Sequence, residues 1–153
     1  MPFPFLKFLH VGSMFLATAL AVGPSVLLYL IARSGDLAAI RRSFAHTTSV
    51  FRVGAAFYGL GLLFGFLAAL NGQIDLTASW LITAYVLVGV LIVFNLGFER
   101  WTKRIERASE DHADSRADLD AAIRARAPVY ALTGMVLLTI LIVFVMVVKP
   151  QIS

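Results

Sequence analysis

The sequence predicts an all-α membrane protein: a four-transmembrane-helix up-down bundle with a helical cytoplasmic hairpin between its third and fourth spans. Two observations predict this class. Four long apolar runs fill most of the 153 residues, and only 14% of the residues are charged, against about 25% in a soluble domain. Each run has the roughly 20 apolar residues that cross a bilayer core. Lipid offers the backbone no hydrogen-bond partner, so the spans are predicted as helices.

The whole chain, 1–153, is predicted to be one integral membrane domain. Its spans are expected at residues 5–32, 48–70, 78–100 and 128–149. The first run passes through Ala19-Leu20-Ala21, which resembles a signal-peptide cleavage site, but it stays apolar well beyond that point. It is therefore predicted to be a retained transmembrane helix. Pro128 suits the first turn of the fourth span, where a missing N–H costs nothing.

The connection at 100–127 is the one substantial polar segment. Glu99 precedes Lys103 by four residues, a spacing that stabilises helices, so the third span is expected to continue as a helix beyond the membrane. A break is predicted from Glu110 to Ser115. The resulting hairpin is either a docking surface for a partner or for anionic headgroups, or a solvated linker. Its basic surface consists of Arg100, Lys103, Arg104 and Arg107.

The distribution of positive charge predicts which way the chain faces. All of the 13 Lys and Arg except Lys7 and Lys149 flank the first and third connections. Basic loops stay in the cytoplasm, so both termini are expected outside. This topology accounts for the net charge of +4, and nucleic acid is not a predicted partner. The absence of cysteine excludes thiolate metal sites and covalently attached haem.

One histidine is the main candidate for chemistry inside the bundle. Ionisable residues within a span are costly and usually functional, and His10 lies near the start of the first span. With the termini outside, Met146 and Lys149 are expected at the same depth, so His10, Met146 and Lys149 are predicted together as one cofactor-binding site. A neutral imidazole can ligate a metal or a haem iron, and Met146 would complete a His/Met pair. The alternative is a histidine hydrogen-bonded to a neighbouring helix.

The other two histidines are weaker candidates. His46 opens the second span on the opposite side of the membrane from His10, so these two cannot share one metal. His46 is expected at the membrane interface. His112 lies among acidic residues in the third connection and is expected to be solvated.

A face of small residues runs along the second span. Its members recur at helical spacing: Gly54, Tyr58, Gly61, Gly65 and Ala68. Such faces let helices approach closely, so Gly54, Gly61 and Gly65 are predicted to pack against another helix. The expected partner on the first span is the set Gly12, Ala19 and Gly23. A flat cofactor lying on the glycines is the alternative.

Other catalytic signals are missing from the sequence. The apolar runs proper, 5–32, 50–70, 78–98 and 129–148, contain no Asp or Glu, which disfavours proton-coupled transport. Nucleophile elbows, phosphate loops and HExxH-type metal motifs do not occur. Asn95, in the third span, is expected to hydrogen-bond a neighbouring helix. The chain is therefore more simply interpreted as a non-enzyme, although the sequence leaves this uncertain.

The two ends of the chain resemble a known group of proteins. Residues 5–10 (FLKFLH) and 145–150 (VMVVKP) are similar to small bacterial four-helix membrane proteins of the CopD/HemJ-like superfamily. This superfamily includes HemJ-type protoporphyrinogen oxidases, CopD-type copper-resistance proteins and a predicted integral-membrane family of unknown function, which the chain resembles most. The resemblance implies a bacterial inner membrane, so that the outward-facing termini would lie in the periplasm, and a b-type haem or a metal bound by His10. Relatives carry a Trp/Gly-rich stretch after the histidine, where this chain has 15–19 (FLATA).

Two functional hypotheses follow, and a third trails them. The first is a non-catalytic inner-membrane protein that serves as a subunit of a larger complex or as a homo-oligomer within the lipid bilayer. The second is a haem- or metal-binding membrane protein in redox or porphyrin chemistry, with His10 as ligand. The third is permeation of a small solute along the bundle.

Overall fold

The computed structural model describes residues 2–110 and 116–150, except for the side chains at 48 and 110. Within these ranges the protein is all-helical, as the sequence predicts. The six helices described are α1 (Phe3–Ser34), α2 (Leu37–Phe44), α3 (Thr47–Asn71), α4 (Ser79–Glu110), α5 (Arg116–Arg124) and α6 (Ala127–Val148).

Four helical segments, which include α1, α3, α4 and α6, are long and apolar enough to cross a membrane. This number confirms the four predicted spans and suggests a multi-pass membrane protein. Their large apolar side chains point outward: Phe8 and Phe15 are each 70% exposed and Val147 is 75% exposed. Exposed apolar area is unfavourable in water, by about 25 cal/mol per Å², but not in hydrocarbon. The surface therefore fits a lipid surround.

The turn between the first two helices is set by two residues. Gly35 ends α1 with a φ of 71°, the left-handed conformation that glycine adopts readily. Asp36 then caps α2, because its carboxylate accepts hydrogen bonds from the N–H groups of Ala38 (2.9 Å) and Ala39 (3.1 Å). α2 is an addition to the predicted elements. Aspartate directly before an apolar-periodic stretch is the local signal for it.

The long helices associate as two antiparallel pairs. In the first pair, α1 packs along α3 in the opposite direction: Leu20 of α1 lies against Gly54 of α3, whereas the earlier residue His10 lies against the later residue Gly65. In the second, α4 packs along α6, with Phe94 against Gly134 and Lys149 over Trp80. The pairs meet through α1, which also contacts α4 and α6. In the described chain, α3 has no comparable packing against α4 or α6, so the bundle is open between α3 and α4.

One end of the molecule is a compact assembly of α2, α5 and the last turns of α4, called here the arginine-bearing end. Trp101 lies at its centre, with ring centroids 5.1 Å from Phe98 and 6.2 Å from both Tyr29 and Phe44. These four aromatic residues form the Trp101 cluster. The indole Nε1–H donates to the carbonyl oxygen of Ala122 at 2.9 Å, which ties α4 to α5.

Two arginines link the helices within this end, one from α2 to α4 and one from α1 to α5. The Nε–H of Arg41 on α2 donates to the carbonyl oxygen of Ser109 at 2.6 Å, and Arg33 at the end of α1 donates to that of Ile123 at 3.4 Å. α4 continues as a helix to Glu110, well past the predicted end of the third span at 100. The predicted break falls mainly on residues 111–115, which lie outside the described residues, so the turn of the hairpin stays a prediction.

Candidate functional site

His10 is held against α3 by a hydrogen bond. Its Nδ1 lies 2.7 Å from the carbonyl oxygen of Gly61. A carbonyl only accepts, so the bond requires a proton on Nδ1. In the neutral imidazole the free lone pair is then on Nε2. The half-buried ring also lies directly over Gly65, where an added Cβ would be 2.7 Å from Nδ1.

The predicted small-residue face of α3 lies against α1. A Cβ built at Gly61 would be 2.5 Å from Met14 Sδ, and one at Gly65 would be 2.8 Å from His10 Cε1. A Cβ built at Gly54 would be 3.4 Å from Leu20 Cβ of α1, an ordinary van der Waals contact. The side chains of α1 therefore occupy the surface on which a flat cofactor would have to lie. This contact zone is called here the glycine seam.

The partner face predicted on α1 is wrong. A Cβ built at Gly12 or Gly23 would have no neighbour within 4 Å, and Ala19 is exposed. Larger side chains of α1, such as Met14 and His10, meet α3 instead. The reason is packing density: two helices that both presented glycine would leave a void, whereas a large side chain fills the groove left by a glycine.

Met146 and Lys149 lie on the other helix pair. Met146 packs against a buried cluster that includes Trp80 and Ala84 of α4. The ammonium of Lys149 lies 5.3 Å from the centre of the Trp80 ring, within the range of a cation–π interaction. The contacts described for His10 are on α3. The described partners of His10 are thus on α3, whereas those of Met146 and Lys149 are on α4.

The predicted basic surface lies on the extended part of α4. Its members are exposed: Arg100, Lys103, Arg104 and Arg107. Lys103 Nζ lies 2.6 Å from Glu99 Oε1, and both side chains are about half exposed. Such a pair adds little stability, but it neutralises one of the four positive charges. The three arginines leave this face positively charged.

The opening between α3 and α4 contains an apolar compartment of about 250 Å³. Its walls come from α1, α3, α4 and α6, and its surface is mainly carbon. The polar side chains that line it are Thr18, Ser25, Tyr58, Asn95, Glu99 and Thr139. Three of these bond carbonyls one turn back in their own helices, as Ser25 does with Ala21 at 2.6 Å.

A second, charged compartment of about 270 Å³ adjoins the first near the arginine-bearing end. The two share the lining residues Phe51, Ala55 and Glu99, so they adjoin each other, and the pair of compartments is called here the α3/α4 cleft. The charged residues of the second compartment are Arg52, Glu99, Lys103 and Glu106. An apolar part and a charged part in one cleft match the two halves of an amphiphile.

The Tyr58 hydroxyl is the unusual atom of the cleft. It is the one buried side-chain polar atom in the described chain without a hydrogen-bond partner. Burial of an unpaired hydroxyl costs about 1–3 kcal/mol.

The predicted interhelical bond of Asn95 is wrong, because its amide donates to Leu91 O of its own helix at 2.9 Å. With α3 and α4 apart, the Asn95 amide donates to the carbonyl one turn back in its own helix, whose oxygen has a second lone pair besides the one used by the backbone bond.

The other two histidines are weaker candidates in the sequence. His46 is exposed at the start of α3, and His112 lies outside the described residues. Among the residues that the structure describes, no group of three or more His, Cys, Asp or Glu side chains is placed to hold a metal ion.

Comparison with protein-family models, curated proteins and solved structures gives no match to this chain. The site must therefore be interpreted from its own geometry.

Sequence reasoning missed the cleft as a unit. The sequence places Tyr58 on the small-residue face, Asn95 at a helix contact and Glu99 in a helical pair with Lys103. The available signal was weak: polar residues on two different spans, each near the same end. Tyr58, Asn95 and Glu99 line the same cavity because α3 and α4 do not pack against each other. The sequence does not show this separation.

Proposed function

We propose that the protein is a non-catalytic component of a bacterial inner membrane, with both termini in the periplasm and the arginine-bearing end in the cytoplasm. The four spans would then form an up-down bundle. The observation that carries this proposal is the arginine-bearing end itself. α2, α5 and the extension of α4 gather most of the basic residues at one end, and such an end is retained in the cytoplasm.

The sidedness can be tested with single cysteines, since the chain has none. Gln73→Cys lies in the exposed connection between α3 and α4, and Arg104→Cys lies on the basic surface. A membrane-impermeant maleimide applied to intact spheroplasts should label the cysteine at 73 at once and the cysteine at 104 only after lysis. Labelling in the reverse order overturns the proposed orientation.

We further propose that the protein works in contact with another copy of itself, through an exposed face of α4. Gly89 and Gly97 are both exposed with no neighbour within 4 Å, and Val93 between them is 66% exposed. These positions share one helix face. Small residues promote close helix association in lipid, and the glycines of the seam are already covered by α1.

Cross-linking tests this contact. Val93→Cys should give a disulfide-linked dimer in native membranes under mild oxidation. Val143→Cys on α6, whose parent side chain is 55% exposed, is the matched control and should stay monomeric. A Gly89→Ile/Gly97→Ile background should abolish the cross-link at 93. Equal cross-linking at 93 and 143 would indicate random collision and contradict the proposal.

A haem or metal bound by His10 is a second candidate function. One observation favours it: the Nδ1–H bond to the Gly61 carbonyl is the type that orients ligating histidines and leaves Nε2 free to coordinate. The imidazole fits the role of a single ligand. The pair with Met146 fits less well, since Met146 packs within the other helix pair.

An absorption spectrum tests the haem hypothesis. Protein purified from haem-replete cells should show a Soret band that His10→Ala removes, while the Met146→Leu spectrum shows whether the methionine contributes. A colourless wild-type preparation excludes haem. Metal analysis of the same samples tests a mononuclear ion by the same comparison.

A further inference from the structure

We propose that the α3/α4 cleft binds one glycerophospholipid with a phosphoethanolamine headgroup. One acyl chain lies in the apolar compartment, and the headgroup lies in the charged compartment. This inference goes beyond the proposed function, because it requires neither the orientation nor the contact between copies.

The balance of charge selects the headgroup. Four charged residues line the charged compartment: Arg52, Lys103, Glu99 and Glu106. Lys103 and Glu99 form an ion pair with each other. Among the described ion pairs none involves Arg52 or Glu106, which leaves one positive and one negative group for a ligand. A zwitterionic headgroup complements both, whereas an anionic headgroup would meet an uncompensated carboxylate.

The chemistry of these two side chains narrows the choice further. The guanidinium of Arg52 presents paired N–H donors that match phosphate oxygens. The carboxylate of Glu106 accepts hydrogen bonds, which a primary ammonium donates and a trimethylammonium does not. Phosphoethanolamine is therefore favoured over phosphocholine.

Tyr58 lies at the depth of the lipid backbone. It is six positions after Arg52 on α3, which places it about 9 Å further along the helix axis. Its hydroxyl is buried and without a partner in the described chain. Below the phosphate of a glycerophospholipid, the next acceptors are the ester carbonyls. A bond from Tyr58 to one of them would satisfy this hydroxyl.

The shape of the cleft admits a chain from the side. α3 and α4 lack close packing in the described chain, and two lining residues on α4, Ile92 and Leu96, are 41% and 46% exposed, so a membrane lipid can reach the compartment between these helices. The two compartments, about 250 and 270 Å³, together reach the range of roughly 300–1,000 Å³ usual for small-molecule sites. That volume suits part of one lipid.

Native mass spectrometry of the full-length protein in detergent tests the proposal. Phosphatidylethanolamine, phosphatidylcholine and phosphatidylglycerol with identical chains are added in turn. The phosphatidylethanolamine complex should dominate, and Arg52→Gln should weaken it at least tenfold. Arg42→Gln, an exposed arginine at the same end but outside the cleft, is the control and should bind as the wild type does. Equal or better binding of phosphatidylglycerol, or no effect of Arg52→Gln, overturns the proposal.

Two further variants separate recognition from folding. Glu106→Gln should keep phosphatidylethanolamine binding measurable but remove the preference over phosphatidylcholine, which a merely unfolded protein would not do. Tyr58→Phe should weaken binding several-fold without changing headgroup preference. An unchanged preference in Glu106→Gln overturns the assigned role of that carboxylate. Because binding is measured in detergent on each oligomeric species, its failure is distinct from failure of the orientation or the dimer.

Discussion

The glycine seam and the Trp101 cluster hold the same chain together by opposite means. In the seam, α3 offers glycines, and side chains of α1 fill the grooves they leave. One polar bond, from His10 to Gly61, crosses it. In the Trp101 cluster, large aromatic rings bury one another, and the indole donates to a carbonyl of α5. Beside the cluster, two arginines donate to carbonyls of other helices.

The difference follows from the solvent around each region. Between helices in lipid there is no hydrophobic driving force, so close packing and interhelical hydrogen bonds supply the attraction. Trp101 and Phe44 lie outside the predicted spans, while Tyr29 and Phe98 lie in the last turn of theirs, so the cluster is expected where the membrane meets water. Where water reaches the helices, burying aromatic surface is strongly favourable. The seam is therefore held by close packing, and the Trp101 cluster by burial of aromatic surface.

The largest expected effect tests the aromatic region. Trp101→Ala should lower the free energy of unfolding by about 3–5 kcal/mol, the range for deletion of a large buried aromatic side chain. Hydrogen exchange should then show α2 and α5 losing protection while the seam keeps it. Trp101→Phe, which removes the Nε1–H bond and part of the buried ring system but keeps a phenyl ring, should cost less than Trp101→Ala. Equal loss of protection in α1 and α3 would show that the two regions are one unit.

A smaller effect is expected in the seam. Gly65→Ala would place a methyl group 2.7 Å from His10 Nδ1, so the ring must move and its bond to Gly61 must weaken. Overpacking of this kind costs about 1–3 kcal/mol. Gly59→Ala is the matched control, since no atom lies near its Cβ. Denaturation in mixed micelles measures both, and a stable Gly65→Ala protein would mean that the close approach does not matter.

Removing the polar bond across the seam should cost less. His10→Leu keeps the side-chain volume roughly constant but deletes the donor to Gly61. Interhelical hydrogen bonds in membrane proteins average about 0.6 kcal/mol and reach about 1.7, so a loss in that range is expected in the same assay. A loss larger than that of Gly65→Ala would indicate that His10 does more than join two helices.

The smallest effect concerns the connection between α3 and α4. Hydrogen bonds from the Thr77 hydroxyl (2.7 Å) and from the Thr77 backbone N–H (2.8 Å) lower the pKa of Asp75 below its usual value of 3.8. A lowered pKa in the folded state stabilises the turn above the unfolded pKa, and this contribution is lost as the pH falls through the folded pKa.

Carbon-13 NMR titration of the Asp75 carboxyl in bicelles measures this shift. Thr77→Val removes the hydroxyl donor and should raise the pKa of Asp75 towards its usual value. The Thr139→Val protein is the control and should titrate as the wild type does. An unchanged Asp75 titration in Thr77→Val would contradict the assigned cause.

The sequence was a good guide to the elements and a poor guide to their contacts. It predicted four spans and the helical run after Glu99, since both depend on local composition and spacing. It overlooked α2, whose cap at Asp36 is a short local signal. It gave Gly12 and Gly23 a packing role that they do not have. One helix alone does not show which of its faces a neighbour will cover.

Composition along the chain is enough to predict helices and four apolar spans, because a lipid-facing backbone must bond within its own segment. Which helices pair, the contact of His10 with Gly61 and the separation of α3 from α4 follow only from the packing of the whole chain. The physical reason is that every face of these spans is apolar. In hydrocarbon such faces are nearly equivalent, so shape complementarity between whole helices selects the partners.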